Sequence, residues 1–203
     1  MKYLLLVFSI IYSSCAIAQN LDKINVHIKQ IESDLQIELV CDTVNNRVWE
    51  VRFPFEYEIK DQTPAGAWVR GADFYYSAEF LSRYTEAGWT SVPYWMKIDG
   101  KYMFHPHPTK LKEGRYPNPS YYLIRSMHSI QEKSDIQDSL AQYIPELKKF
   151  KVNIGTLKEF KAKHPKLTER FLKGDSVSIQ GYINELSTMN QLICLLNIKV
   201  ERS

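Results

Sequence analysis

Cysteine, glycine and net charge are all scarce in this chain. Three cysteines in 203 residues leave room for at most one disulfide, and eight glycines with nine prolines exclude a fibrous or linker-dominated polymer. The 26 Lys and Arg side chains stand against 23 Asp and Glu, and the resulting +3 is too small to imply a nucleic-acid partner by itself. No apolar run approaches the ~20 residues that a membrane-crossing helix needs. The signatures of common chemistries are missing too. The sequence holds no Gly-x-Ser-x-Gly elbow, phosphate loop, dinucleotide fingerprint, His-Glu-x-x-His, Cys-x-x-Cys or helix-loop-helix calcium loop. No cofactor is predicted.

What is present begins with an address. Lys2 precedes the apolar residues 3–12, and Ala16-Ile17-Ala18 is a small-x-small cleavage site before Gln19. Residues 1–18 therefore read as a cleaved signal peptide, and residues 19–203 as one exported domain, periplasmic or extracellular. An alternative anchors the chain by a lipid on Cys15, after Ser13-Ser14. Export leaves Cys41 and Cys194 in an oxidising compartment, where a single disulfide between them is expected. Their phase agrees, since Cys41 shares its strand face with Leu35, Ile37 and Leu39, and Cys194 shares its face with Leu196, Ile198 and Val200.

The pattern predicts strands first and helices late. Residues 24–28 and 35–41 alternate, and a turn at 32–34 predicts a hairpin. In residues 49–59, Trp49, Val51, Phe53, Phe55, Tyr57 and Ile59 take one face while Glu50, Arg52, Glu56, Glu58 and Lys60 take a wet one. A helix is expected over 77–87. Asp99-Gly100 predicts a tight hairpin turn between strands 94–98 and 101–105. Prolines 106, 108, 117 and 119 make 105–119 a surface loop. A strand follows at 121–128, a helix at 134–144, a strand at 150–154, helical stretches over 156–173 broken at Pro165, and strands at 176–183 and 191–200. The class is a β-rich α+β fold, an antiparallel sheet or immunoglobulin-like sandwich decorated by a few short helices, with a helical, basic insertion at about 134–173. The sandwich likeness rests on the inward cysteines and the strand-rich first half; the Cys-Trp-Cys spacing of antibody domains is missing.

Four groups of residues carry functional expectations. Aromatics crowd the middle of the chain, fifteen of them between Trp49 and Phe104. Trp68, Trp89, Tyr94, Trp95, Tyr116 and Tyr121 lie near turns or the proline-rich loop, where flat apolar faces suit a glycan, a peptide or an envelope protein. His105-Pro106-His107 places two imidazoles on one side of a stiff backbone, a start for a divalent metal site with His128, Asp99 or Glu113 completing it. Glu56 and Glu58 form an i, i+2 carboxylate pair. Residues 146–173 hold nine bases and three acids, so Lys158, Lys161, Lys163, Lys166, Arg170 and Lys173 offer peripheral contact with an anionic surface. The leading expectation is a non-enzymatic exported binding protein. The alternatives are a hydrolase, metal-assisted through His105 and His107, and a structural envelope protein with a basic segment.

Overall fold

A computed structural model describes residues 26–62, 67–80, 88–98, 100–104, 109–110, 121–146, 149–183 and 194–201. It is a β-rich α+β fold in which every strand pairing is antiparallel. The strands are β1 (Val26–Ile31), β2 (Gln36–Asp42), β3 (Arg47–Arg52), β4 (Pro54–Asp61), β5 (Ala67–Tyr75), β6 (Trp89–Val92), β7 (Tyr94–Ile98) and β8 (Lys101–Phe104). They continue with β9 (Thr109–Lys110), β10 (Tyr121–Arg125), β11 (His128–Ser129), β12 (Lys151–Thr156), β13 (Ser176–Ile183) and β14 (Cys194–Glu201). The helices are α1 (Asp135–Leu140), α2 (Leu157–Lys163) and α3 (Pro165–Leu172), with 3-10 turns at Ala78–Phe80 and Ala141–Glu146. Among the described residues no helix is long and apolar enough to cross a membrane.

The strands form three sheets. A five-stranded sheet runs β1-β4-β10-β7-β8, a four-stranded sheet runs β11-β3-β2-β12, and the third runs β14-β13-β5-β6 with β9 on β5. Strands that bend from one sheet into the next connect them. The predicted single strand over 49–59 breaks at Phe53, because Pro54 has no N–H to continue the ladder, so β3 and β4 belong to different sheets. The strand predicted over 121–128 likewise breaks at Ser126 and Met127 between β10 and β11. Pro93 separates β6 from β7 in the same way. Such corners let antiparallel sheets turn around a shared interior.

That interior holds Ile37, Leu39, Cys41, Val51, Phe53, Phe55, Tyr57, Phe74, Met96, Ile124, Phe160, Phe171 and Val177, all almost inaccessible to water. The expected inward face of residues 49–59 is thus apolar and buried, Trp49 being only half-buried. Its partner face is not wet throughout. Glu50 and Glu56 are buried beside basic side chains, Glu50 next to Arg52 two residues along its own strand and Glu56 next to Lys97 of β7. Arg52 bonds to Glu50 and, at 3.1 Å, to Glu38, while Lys151 reaches Glu38 at 3.1 Å. Burial pulls the Arg52 guanidinium down, and the Glu50 and Glu38 carboxylates more than offset it.

Other local predictions meet mixed outcomes. β7 and β8 pair as the expected hairpin with Ile98 opposite Lys101, and Gly100 supplies the positive φ of 76° that an L side chain resists; Asp99 lies outside the described residues. Ser134 caps α1 through its side chain, and the helix tightens into a 3-10 turn that carries Pro145. Thr156 and Glu159 form a reciprocal capping box on α2, and Pro165 starts α3, its missing N–H costing nothing at a helix start. Gln137 of α1 docks like a strand residue, accepting from Val48 N–H at 3.0 Å and donating to Val48 O at 2.8 Å. The expected helix over 77–87 is described only as the turn at Ala78–Phe80. The hairpin expected between residues 24–28 and 35–41 does not form: β1 pairs with β4, and β2 pairs with β3 and β12. The turn chemistry lies one strand later, at Asp42. Its Oδ1 accepts from the N–H groups of Val44 and Asn45, and its Oδ2 from Asn45 Nδ2 and Arg47 Nε.

Those bonds, the Asn45 side chain first, hold the Asp42 carboxyl down at about 2 against an ordinary 3.8. A depressed acid stabilises the fold above its unfolded value, and that contribution is lost as pH falls through the folded one. Thermal unfolding of Asp42→Asn should therefore show a flatter acid limb than the parent between pH ~4 and ~2. Parallel acid limbs would contradict this account of the turn.

Candidate functional site

Among the described residues two places carry chemistry, one sealed and one open. The sealed one lies where the corners meet. At the break between β3 and β4, Phe53 N–H donates to Ser126 Oγ at 3.0 Å while Ser126 N–H donates to Phe53 O at 3.0 Å. Ser126 Oγ lies 2.9 Å from His128 Nδ1, and His128 Nε2 lies 2.7 Å from Asp175 Oδ2. Asp175 Oδ1 accepts from Ser77 N–H at 3.1 Å, and nearby Tyr76 Oη accepts from Met127 N–H at 3.0 Å. Ser126, His128 and Asp175 are each 2 % exposed or less.

A serine, a histidine and an aspartate in hydrogen-bonded sequence are the parts of an acyl-transfer site, yet this arrangement cannot act as one. The serine faces Nδ1 and the acid faces Nε2, the reverse of the order in serine hydrolases. Ser126 Oγ is engaged by a backbone N–H, and the imidazole is walled by the rings of Phe53, Phe74, Tyr76, Phe80 and Phe171 at 5.2–5.7 Å. No substrate carbonyl can approach. Every group in the chain is satisfied: Asp175 accepts on both oxygens, Ser126 Oγ meets both Phe53 N–H and the imidazole, and each ring nitrogen has a partner. The expectation that His128 helps ligate a metal is corrected by this geometry, since both ring nitrogens already have partners. Among the described residues no group of His, Cys, Asp and Glu is arranged to hold a metal ion. His105, His107 and Glu113, on which the expected metal site rests, lie outside the described residues, as does Asp99.

The open place is on the outer face of the five-stranded sheet, on its β7–β8 side and at Tyr121; Glu56 and Leu123 of the same face are buried. Cross-strand partners share a face, so the register Glu56, Leu123, Trp95, Phe104 forms one row across β4, β10, β7 and β8, with Glu58 opposite Tyr121 beside it. Phe104 is 56 % exposed and Tyr121 38 %, Trp95 is half-exposed, and the Trp95 and Phe104 rings lie 6.1 Å apart. Lys97 Nζ sits 3.7 Å from Glu56 Oε1 and over the Tyr102 ring at 5.2 Å. Lys60 lies 3.4 Å from Glu58. The carboxylate pair is therefore on one face, as expected, but each member has its own lysine, which removes the mutual repulsion that acid/base work would use.

The expected binding aromatics divide accordingly. Trp95 and Tyr121 come together on this face, joined by Phe104, which sequence reasoning did not single out. Tyr94 is corrected to a core residue: it points inward, 6 % exposed, with its ring 6.0 Å from Tyr122. Trp89 stands on β6 in another sheet, 41 % exposed and 6.3 Å from Tyr75. Trp68 lies on β5 with its backbone opposite Tyr182. Tyr116 lies outside the described residues.

The cysteine and lysine expectations also shift. Cys41 is a free thiol buried in the core, where desolvation pushes its pKa up to about 11 and leaves it protonated at neutral pH. It sits in the four-stranded sheet, whereas Cys194 opens β14 in the third sheet, so the expected bond between them is not formed. Of the basic set, Lys158, Lys161, Lys163, Lys166 and Lys173 are exposed on or just after α2 and α3. Arg170 is exposed too, its guanidinium forking onto Asp135 at 2.7 and 2.9 Å and onto Glu79, while Lys158 pairs with Glu32 at 3.2 Å. Compared with family models, curated proteins and solved structures, the chain gives no match.

Ser126→Ala removes the partner of both Phe53 N–H and His128 Nδ1, and each orphaned buried group is worth about 1–3 kcal/mol. Urea unfolding should register a loss in that range or above, and a fluorophosphonate reagent should leave Ser126 of the folded parent unlabelled by peptide mapping. A loss below about 0.5 kcal/mol, or labelling at Ser126, would contradict the sealed reading.

Proposed function

We propose that this protein is exported and binds a ligand, without catalysing a reaction, through the outer face of its five-stranded sheet. The observation that carries the reading is the group of aromatic rings on one face, exposed Phe104 and Tyr121 with half-buried Trp95, beside the Glu56–Lys97 and Glu58–Lys60 pairs. Flat rings offer large apolar area at little conformational cost, and fixed charges beside them orient what lands there. Glycans, peptides and envelope proteins are the ligand classes such a surface suits. Export is supported by the n-region, apolar run and cleavage site of residues 1–18. Sheets joined through bent strands support reading the scaffold as a sandwich-like one. The hydrolase alternative draws no support from the sealed Ser126–His128–Asp175 chain. The basic-segment alternative keeps its exposed lysines, with Arg170 engaged by Asp135 and Glu79.

Two measurements test the proposal. Mass spectrometry of the protein recovered from an expressing bacterium's periplasm should give a chain starting at Gln19; an intact Met1, or a lipid on Cys15, would overturn soluble export. Mature protein screened on glycan and peptide arrays should find ligands that a Trp95→Ala, Tyr121→Ala variant binds on the order of tenfold or more weakly, with an unchanged melting temperature. Equal binding by parent and variant would overturn the face assignment.

A further inference from the structure

We propose that β8 is a docking edge that accepts an extended, acidic and apolar peptide as an added strand; the idea rests on the reading of this sheet as the binding surface and narrows its ligand to a peptide. The sheet has two edges, and they differ. At β1 the exposed side chains are His27, Lys29 and Gln30, polar residues of the kind that protect an edge. At β8 they are Lys101, Met103 and Phe104. Met103 is 45 % and Phe104 56 % exposed, and as adjacent strand residues they point to opposite faces.

Each continues a row of side chains that otherwise stops at the edge. Met103 extends the inner row of Tyr57, Tyr122 and Met96, and Phe104 extends the outer row of Leu123 and Trp95. An unpaired apolar patch on one face would suit many partners. Apolar side chains running off both faces of the same strand fit one shape, another strand in register. The backbone agrees. In an antiparallel pair that starts at a two-residue turn, the N–H and C=O groups of Tyr102 and Phe104 point away from β7. Among the described residues nothing pairs with them on that side.

Charge selects the sequence of the incoming strand. β7 and β8 carry Lys97 and Lys101 and no acid. Lys97 is held by Glu56, whereas Lys101 is exposed. A peptide with an acid opposite Lys101 and apolar residues opposite Met103 and Phe104 complements the edge in charge and in burial, the mode by which sheet edges recognise extended segments.

The test pans a phage-displayed random peptide library on the mature protein and re-measures enriched peptides, made synthetically, by fluorescence anisotropy and hydrogen exchange. The expected result is enrichment of segments that carry an acid two residues from a pair of adjacent apolar residues, matching Lys101, Met103 and Phe104, with the Tyr102 and Phe104 amides protected only when peptide is bound. Met103→Lys and Lys101→Glu should each weaken binding on the order of tenfold. Met103 lies on the face opposite Trp95 and Tyr121, which separates the two ideas. Binding lost in Trp95→Ala, Tyr121→Ala but kept in Met103→Lys leaves the face reading standing and overturns strand addition. Binding lost in Met103→Lys but kept in the tryptophan–tyrosine variant supports the edge against the face. Absence of any enriched peptide overturns strand addition, and protection of the same amides by self-association without peptide would assign the edge to a second copy of this chain.

Discussion

A single sealed imidazole ties together parts of the chain that are far apart in sequence. His128 reaches Ser126 on one side and Asp175 on the other, and through them the Phe53 and Ser77 backbones. Each of these contacts stands at a discontinuity: the break between β3 and β4, the break between β10 and β11, the exit from β5, and the entry into β13. A sheet corner leaves backbone groups without ladder partners, and buried backbone groups must find partners elsewhere. Side chains supply them here. The aromatic rings around the imidazole provide the apolar burial, but packing alone would tolerate several arrangements of these corners. A fully satisfied polar chain inside a water-free interior tolerates only one, because any slip strands a buried donor or acceptor.

With the interior closed, recognition is left to the outer faces, and these are built in two ways. On the four-stranded sheet, Glu38, Glu50, Arg52 and Lys151 neutralise one another, and burial of Glu50 beside Arg52 makes that face a self-contained charge network. On the five-stranded sheet the charged pairs stand beside exposed rings instead, so area and orientation are both available to a ligand. The proposed binding surface rests on the contrast between these faces, rather than on the number of aromatics in the chain.

Much of the fold was legible in the sequence because its signals are local. The β7–β8 hairpin with Gly100 in its turn, the helix starting at Ser134 and the break at Pro165 each depend on a few adjacent residues, as does the Thr156–Glu159 capping box, which went unread. The inward set of residues 49–59 was legible from strand periodicity. What escaped was non-local. Alternation continues straight through Phe53, so nothing in it reveals that one face belongs to two sheets; Pro54 was the available signal. The early hairpin was misread because β1 finds its partner in β4, beyond two intervening strands. Alternation likewise marked Glu50 and Glu56 as solvated, and only pairing with Arg52 and Lys97 explains their burial. Ser126, His128 and Asp175 share no motif spacing, so their meeting could not be read before the topology. Trp95 and Tyr121 were legible as binding candidates, whereas Phe104 needed the β7–β8 register to join them.

Native-state hydrogen exchange tests the central claim, that the corners are held by the His128 chain, most directly. If they are, the amides of Phe53 and Ser77, which donate to side chains and not to a ladder, exchange only through global unfolding, with the free energy of the slowest core strands. If those two amides exchange through low-energy local openings while β4 and β10 stay protected, the polar chain is incidental to the fold and the account of its corners is wrong.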